Sequence, residues 1–63
     1  MANDAVRVFL ADDHAMVREA LAALLAKNEQ FEIVGQCGDG LQVLRAVRQS
    51  RPDVVVLDIT MPG

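Results

Sequence analysis

The sequence lacks tryptophan and tyrosine, and its two phenylalanines are Phe9 and Phe31. Any core it builds must therefore be aliphatic. Its single cysteine, Cys37, cannot close an internal disulfide and has no metal-ligand spacing around it, which fits a reducing, cytoplasmic setting. There is no basic run, and the formal charge is −3. Nucleic acid is accordingly not expected as a direct partner of this segment. No apolar run approaches the ~18–20 residues of a membrane span. The short polar start, Met1 to Asp4, has neither the cationic nor the apolar part of a signal peptide. Sixty-three residues leave room for one domain at most, and a domain of that size buries only about 60% of its unfolded surface and is marginal.

What is present is most informative from Asp53 to Gly63, Asp-Val-Val-Val-Leu-Asp-Ile-Thr-Met-Pro-Gly. Four apolar residues, Val54 to Leu57, are mostly β-branched. They read as a strand covered on both faces, the kind found in parallel sheets. Asp58 follows directly, at the carboxyl end of that strand, where open α/β sheets place their ligands. Pro62 and Gly63 then turn the chain away.

Upstream, Val6 to Ala11 reads as a first strand, with Arg7 near its start and Asp12 and Asp13 at its end. A helix is expected from about Ala15 to Lys27. Val17, Ala20, Leu21, Leu24 and Leu25 form its buried stripe, and Asn28 is a plausible stop. Phe31 to Cys37 is a shorter strand, weakened by Gly35 and expected at an edge. Asp39 is the candidate N-cap of a second helix from about Leu41 to Gln49, with Leu44 and Val47 inward. Ser50-Arg51-Pro52 ends it, because the residue before proline avoids helical angles.

The alternation β-α-β-α-β predicts an α/β fold with a parallel sheet. In spatial order 2-1-3 the right-handed crossover rule puts the two helices on opposite faces. Strands one and three then lie side by side and carry Asp12, Asp13 and Asp58 at one edge. This is the first half of the flavodoxin-like, doubly wound arrangement, whose ligand site is the gap between the first and third strands. Three clustered carboxylates repel one another unless a positive group sits among them. Mg²⁺ suits such a cluster, since it takes hard oxygen ligands from one or two carboxylates together with water and phosphate oxygens. An aspartate beside that metal can act as a nucleophile toward a phosphoryl group.

These residues resemble the two-component response-regulator receiver domain. The matching stretches are Val8-Phe9-Leu10-Ala11-Asp12-Asp13-His14, Val17-Arg18-Glu19-Ala20-Leu21 within the first helix, and Arg51 to Gly63. The resemblance covers essentially the whole chain, and its wording is most similar to regulators with a C-terminal helix-turn-helix DNA-binding domain. It implies that Asp58 is the phosphate acceptor. It implies a Mg²⁺ site made by Asp13 directly, Asp12 largely through water, Asp58, and the backbone carbonyl of Thr60. The implied phosphodonor is a histidine kinase, and the domain catalyses only its own phosphorylation and dephosphorylation, so it is not otherwise an enzyme.

A complete five-stranded domain of this type would have roughly 100–150 residues. The family's switch Ser or Thr, its Lys after strand five and the output domain are not in this sequence. Residues 1–63 are therefore expected to be a truncated receiver domain: a shortened piece, a proteolytic fragment or a designed half-domain of a longer transcriptional regulator, with phosphorylation impaired or lost. The third strand would then be an exposed apolar edge, which invites self-association, with a two-fold dimer the commonest solution.

One alternative is an aspartyl-phosphate hydrolase of the haloacid-dehalogenase type. Those enzymes place a second aspartate two residues after the nucleophile, where this chain has Thr60. Another is an inert, self-associating half-domain. His14 reads as solvated loop, Cys37 as a small packing residue, and Gly38 to Gly40 as a turn too short to cradle phosphate. Arg45, Arg48 and Arg51 read as a solvated helix face.

Overall fold

A computed structural model describes residues 5–58. The elements run β1 (Val6–Asp12), α1 (Ala15–Ala26), β2 (Phe31–Cys37), α2 (Gly40–Ser50) and β3 (Val54–Asp58). The three strands form one parallel sheet in the order β2-β1-β3. This is the β-α-β-α-β layout and the 2-1-3 order that the sequence predicts. Element ends differ from the predicted ones by a residue or so; in particular β1 runs one residue further, so that Asp12 belongs to the strand. The turn at Pro62 and Gly63 lies outside the described residues.

The central position of β1 explains the core. Val8, Phe9, Leu10 and Ala11 are almost fully buried, and Phe9 and Leu10 are the largest side chains with essentially no exposure. Both neighbouring strands pair with this segment. β3 runs in unbroken register from Val8↔Val54 to Asp12↔Asp58. β2 pairs from Val6↔Phe31 with a shift between Val8 and Phe9, after which Phe9 faces Gly35. The glycine that weakens the strand on paper has a packing reason: a Cβ at position 35 would lie 2.8 Å from Phe9 Cε2 and 2.9 Å from Cδ2. The ring occupies the space a side chain would need.

Local chemistry sets the joints. The Asp39 side chain accepts a hydrogen bond from Leu41 N at 2.9 Å and so caps α2, as the sequence predicts. Asn28 Oδ1 accepts from Gln30 N at 2.8 Å and turns the chain after α1. α2 ends at Arg51, which has φ 50 and ψ 61, because Pro52 bars the right-handed helical region to the residue before it. Holding a non-glycine residue there costs about 1–2 kcal/mol. Arg7 offsets this by tying the joint down. Its side chain donates to the carbonyls of Ser50 and Arg51, while its backbone exchanges two bonds with Asp53: Arg7 N to Asp53 Oδ2 at 2.9 Å and Asp53 N to Arg7 O at 2.7 Å.

Three expectations about burial are corrected. In α1 the stripe is only partly covered: Leu21 and Leu25 are half-buried, but Val17 and Leu24 are exposed and so is Ala20. In α2, Val43 and Val47 are half-buried, whereas Leu44 points outward with Leu41. The physical reason is width. Each helix packs on β1 and β2 and neither packs substantially on β3, so an apolar stripe wider than that footprint remains in solvent. For the same reason β3 is not covered on both faces: every one of its residues is exposed.

Gly35→Ala should therefore lower stability by about 1–3 kcal/mol, the usual range for overpacking a filled core. Chemical denaturation of the two chains measures it, and an unchanged midpoint would show that the Phe9 ring moves aside freely.

Candidate functional site

The site is the carboxyl edge of the sheet. β1 must end there with a polar residue, since its apolar run is complete at Ala11, and the residue that follows is Asp12. Only 3% of Asp12 is exposed. Its Oδ1 accepts from His14 N at 2.8 Å, a local turn that starts the path into α1. Its Oδ2 is buried and has no hydrogen-bond partner among the described residues. An ionised oxygen left in that condition is costly, so a ligand that satisfied it would be strongly favoured there.

Asp13 follows on the bend, with a side chain 30% exposed. His14 brings its imidazole back onto both carboxylates, with Nδ1 2.9 Å from Asp13 Oδ1 and 3.5 Å from Asp12 Oδ1. One ligand atom from each of Asp12, Asp13 and His14 lies within 4.8 Å of the others. α1 begins at Ala15 with His14 as its N-cap, so the positive end of the helix dipole also faces these acids.

Asp58 ends β3 directly opposite Asp12. Strands pair about 4.8 Å apart and side chains alternate between faces, so register partners on parallel strands share a face. Asp58 is thus the neighbour of Asp12 across the strand gap. It is exposed and stands outside the 4.8 Å group. Thr60 lies outside the described residues. Of the four positions predicted for a metal, Asp12 and Asp13 are brought within coordinating distance of each other, and Asp58 stands one strand away.

Two residues at this edge were missed as site components. By pattern His14 is solvated loop; its ring is 68% exposed yet paired with Asp13. By pattern Arg18 is only part of the helix. Its Nη1 donates to the backbone oxygen of Asp12 at 2.7 Å. Helical side chains slant toward the N-terminus, so a long cation one turn into α1 falls back over the strand end. That slant was the available signal.

The donor set is hard oxygen with one buried oxygen unpartnered, and it fits a divalent cation such as Mg²⁺. Asp12 and Asp13 would hold it, with Asp58 on the facing strand, and Arg18 and the helix dipole would moderate the remaining charge.

The family model for the response regulator receiver domain matches residues 8–63. The chain is 42% identical over 57 residues to the DNA-binding transcriptional activator DevR/DosR of Mycobacterium tuberculosis, covering 90% of this chain and 26% of that protein. It is 41% identical over 58 residues to the transcriptional regulatory protein LiaR of Bacillus subtilis, covering 92% and 28%. It is 47% identical over 57 residues to a protein-glutamate methylesterase/protein-glutamine glutaminase of Anaeromyxobacter dehalogenans, covering 90% of this chain but 16% of that one. In structure it is similar to the signal receiver domain of the response regulator NarL from Mycobacterium tuberculosis, with a TM-score of 0.86, 37% identity, and coverage of 95% of this chain and 48% of that chain. The chain thus spans about half of that solved domain and about a quarter of the two transcriptional regulators.

Asp13→Asn is expected to weaken Mg²⁺ binding by roughly tenfold or more, about 1.4 kcal/mol, in isothermal titration calorimetry. Unchanged affinity would remove Asp13 from the cation site.

Proposed function

Because the chain belongs to the response regulator receiver domain family of two-component systems, we propose that it accepts a phosphoryl group on Asp58 from the phosphohistidine of a histidine kinase, with Mg²⁺ as cofactor. The observation that carries this reading is the pairing of Asp58 with Asp12 across β1 and β3, which sets an exposed carboxylate beside a buried one that has an unpartnered oxygen.

The residues divide the work. Asp58 is the nucleophile: its exposed oxygen attacks phosphorus, an O–P bond forms, the N–P bond of the donor breaks, and the departing imidazole takes up a proton. Asp12 and Asp13 would hold the cation, together with Asp58 and the Thr60 carbonyl. Mg²⁺, when bound, supplies positive charge against the oxygens of the transferring group. Three carboxylates alone would repel that anion, and the cation would offset most of that repulsion. Arg18 and the N-terminus of α1 add fixed positive potential at the same edge.

Receiver domains are generally not enzymes acting on other substrates, and the methylesterase relative matches over only 16% of its own length. A hydrolase reading is disfavoured by Thr60, which stands where haloacid-dehalogenase-type enzymes need a second aspartate. Among the described residues no helix is long and apolar enough to cross a membrane. A cytoplasmic module of a transcriptional regulator, with DNA bound by a separate helix-turn-helix domain, is the setting we propose.

The exposed β3 bears on partners. Val54, Val55, Val56 and Leu57 are all exposed, and among the described residues β3 pairs on one side only, with β1. The 63-residue chain is proposed to self-associate by adding a strand at this edge.

Two measurements test these readings. Incubation with acetyl phosphate and Mg²⁺, read by intact mass, should add one phosphoryl group to a fraction of the native chain, in keeping with the impaired transfer expected of residues 1–63, and none to Asp58→Asn. An adduct that survives in the variant places the acceptor elsewhere. Multiple turnover of acetyl phosphate supports the hydrolase, and the absence of any adduct, with no response to beryllofluoride, supports the inert half-domain. Sedimentation equilibrium should show a dimer at high concentration that Val56→Lys shifts to monomer, whereas a monodisperse monomer of the native chain overturns the edge-pairing proposal.

A further inference from the structure

Arg18 does something that neither ligation nor phosphoryl acceptance accounts for. It leaves α1, crosses to the end of β1, and donates from Nη1 to Asp12 O at 2.7 Å. That carbonyl belongs to the peptide unit joining Asp12 to Asp13. The plane of this single peptide controls where both carboxylates point, since the two side chains leave from the Cα atoms on either side of it. A guanidinium bonded to its oxygen therefore fixes two candidate ligands with one contact. The choice of Arg is apt, because its charge is permanent and its planar fork loses little freedom on bonding.

A second observation, from another segment, concerns the space Arg18 uses. A Cβ at Gly38, on the bend after β2, would lie 2.6 Å from Arg18 Nη1, 3.5 Å from its Cζ and 3.6 Å from Asp12 O. The guanidinium is seated where position 38 has no side chain. Gly38 is followed by Asp39, the cap of α2, so this one seat joins the start of α1, the end of β1 and the connection into α2.

We infer that Arg18 is a positioning residue for the cation site, orienting the Asp12–Asp13 peptide, and that Gly38 is the residue that leaves it room. This rests on the reading of Asp12 and Asp13 as cation ligands. Nothing requires Arg18 to touch the cation or the phosphoryl group. Its positioning effect passes through the peptide carbonyl and is separate from the positive potential of its charge, whose loss alone would favour a bound cation.

The test uses the full chain and Mg²⁺ alone, with affinity from calorimetry and folding followed in parallel by circular dichroism. Arg18→Met keeps the aliphatic stem and removes the donors. It should weaken Mg²⁺ binding by about tenfold, the lower end of what losing an outer-shell partner of a metal ligand does, while helix content stays native. Arg18→Lys, which retains a charged donor, should recover part of the loss. Gly38→Ala should weaken binding by pushing the guanidinium off its seat. The double variant Arg18→Met with Gly38→Ala should bind no worse than Arg18→Met, because both changes act on one contact.

Native affinity in Arg18→Met, with Asp13→Asn impaired, overturns the inference and leaves the cation site standing. Native affinity in both removes the site itself, and the inference with it. Additive losses in the double variant also overturn the inference. If Arg18→Met does not fold, Gly38→Ala decides: a folded variant with native affinity refutes the shared seat.

Discussion

The parallel pairing of β1 with β3 is the constraint on which the rest depends. Asp12 and Asp58 come from distant parts of the chain and become neighbours only because Val8 pairs with Val54 and the ladder then runs without a break to the two aspartates. Side chains alternate along a strand, so a slip of one residue would turn Asp58 to the opposite face of the sheet from Asp12. The ladder with β2 contains an irregularity, between Val8 and Phe9. The ladder that sets the acidic edge contains none.

The two ends of this ladder are held in a similar way. At the amino end, Arg7 reaches the Ser50 and Arg51 carbonyls, and its backbone exchanges bonds with Asp53 just before β3 starts. At the carboxyl end, Arg18 donates to the Asp12 carbonyl. In each case a permanent cation satisfies main-chain oxygens where regular structure runs out. The amino-terminal clamp sets where β3 begins, and the ladder carries that register up to Asp58. A chain with few aromatics and a small core uses charged hydrogen bonds at its joints, where a larger protein could rely on packing.

Much of this was legible in the sequence. The uninterrupted run Val54 to Leu57, the acidic residues after each apolar strand, and the Asp39 cap fixed the element order, the parallel sheet and the edge where the acids gather. Periodicity misjudged the helices at Val17, Leu24 and Leu44 because it reports which side of a helix is apolar and is silent on how much of that side a neighbour covers. Gly35 read as a weakness, since the ring it accommodates belongs to Phe9 on another strand. The contacts of Arg18 and His14 are not legible in the sequence for a related reason. Their roles lie in contacts with the strand end just before them, made by side-chain direction, which a pattern of residue types does not encode.

The third strand is also the least supported element. Asp12 sits at the end of a buried run, whereas every residue of β3 is exposed, and neither helix packs substantially on it. Elements with few buried apolar contacts open at the lowest free-energy cost. The two halves of the acidic edge therefore differ in kind: Asp12 is fixed by the core, and Asp58 only by the ladder and the Arg7–Asp53 joint. It follows that whatever covers β3, by adding a strand or by packing on its faces, must also favour the arrangement in which Asp58 stands beside Asp12. By reciprocity, a cation or phosphoryl group that requires that arrangement favours the covered state of β3. Any chemistry at the carboxyl edge and any association along the third strand would thus be coupled through one ladder of hydrogen bonds.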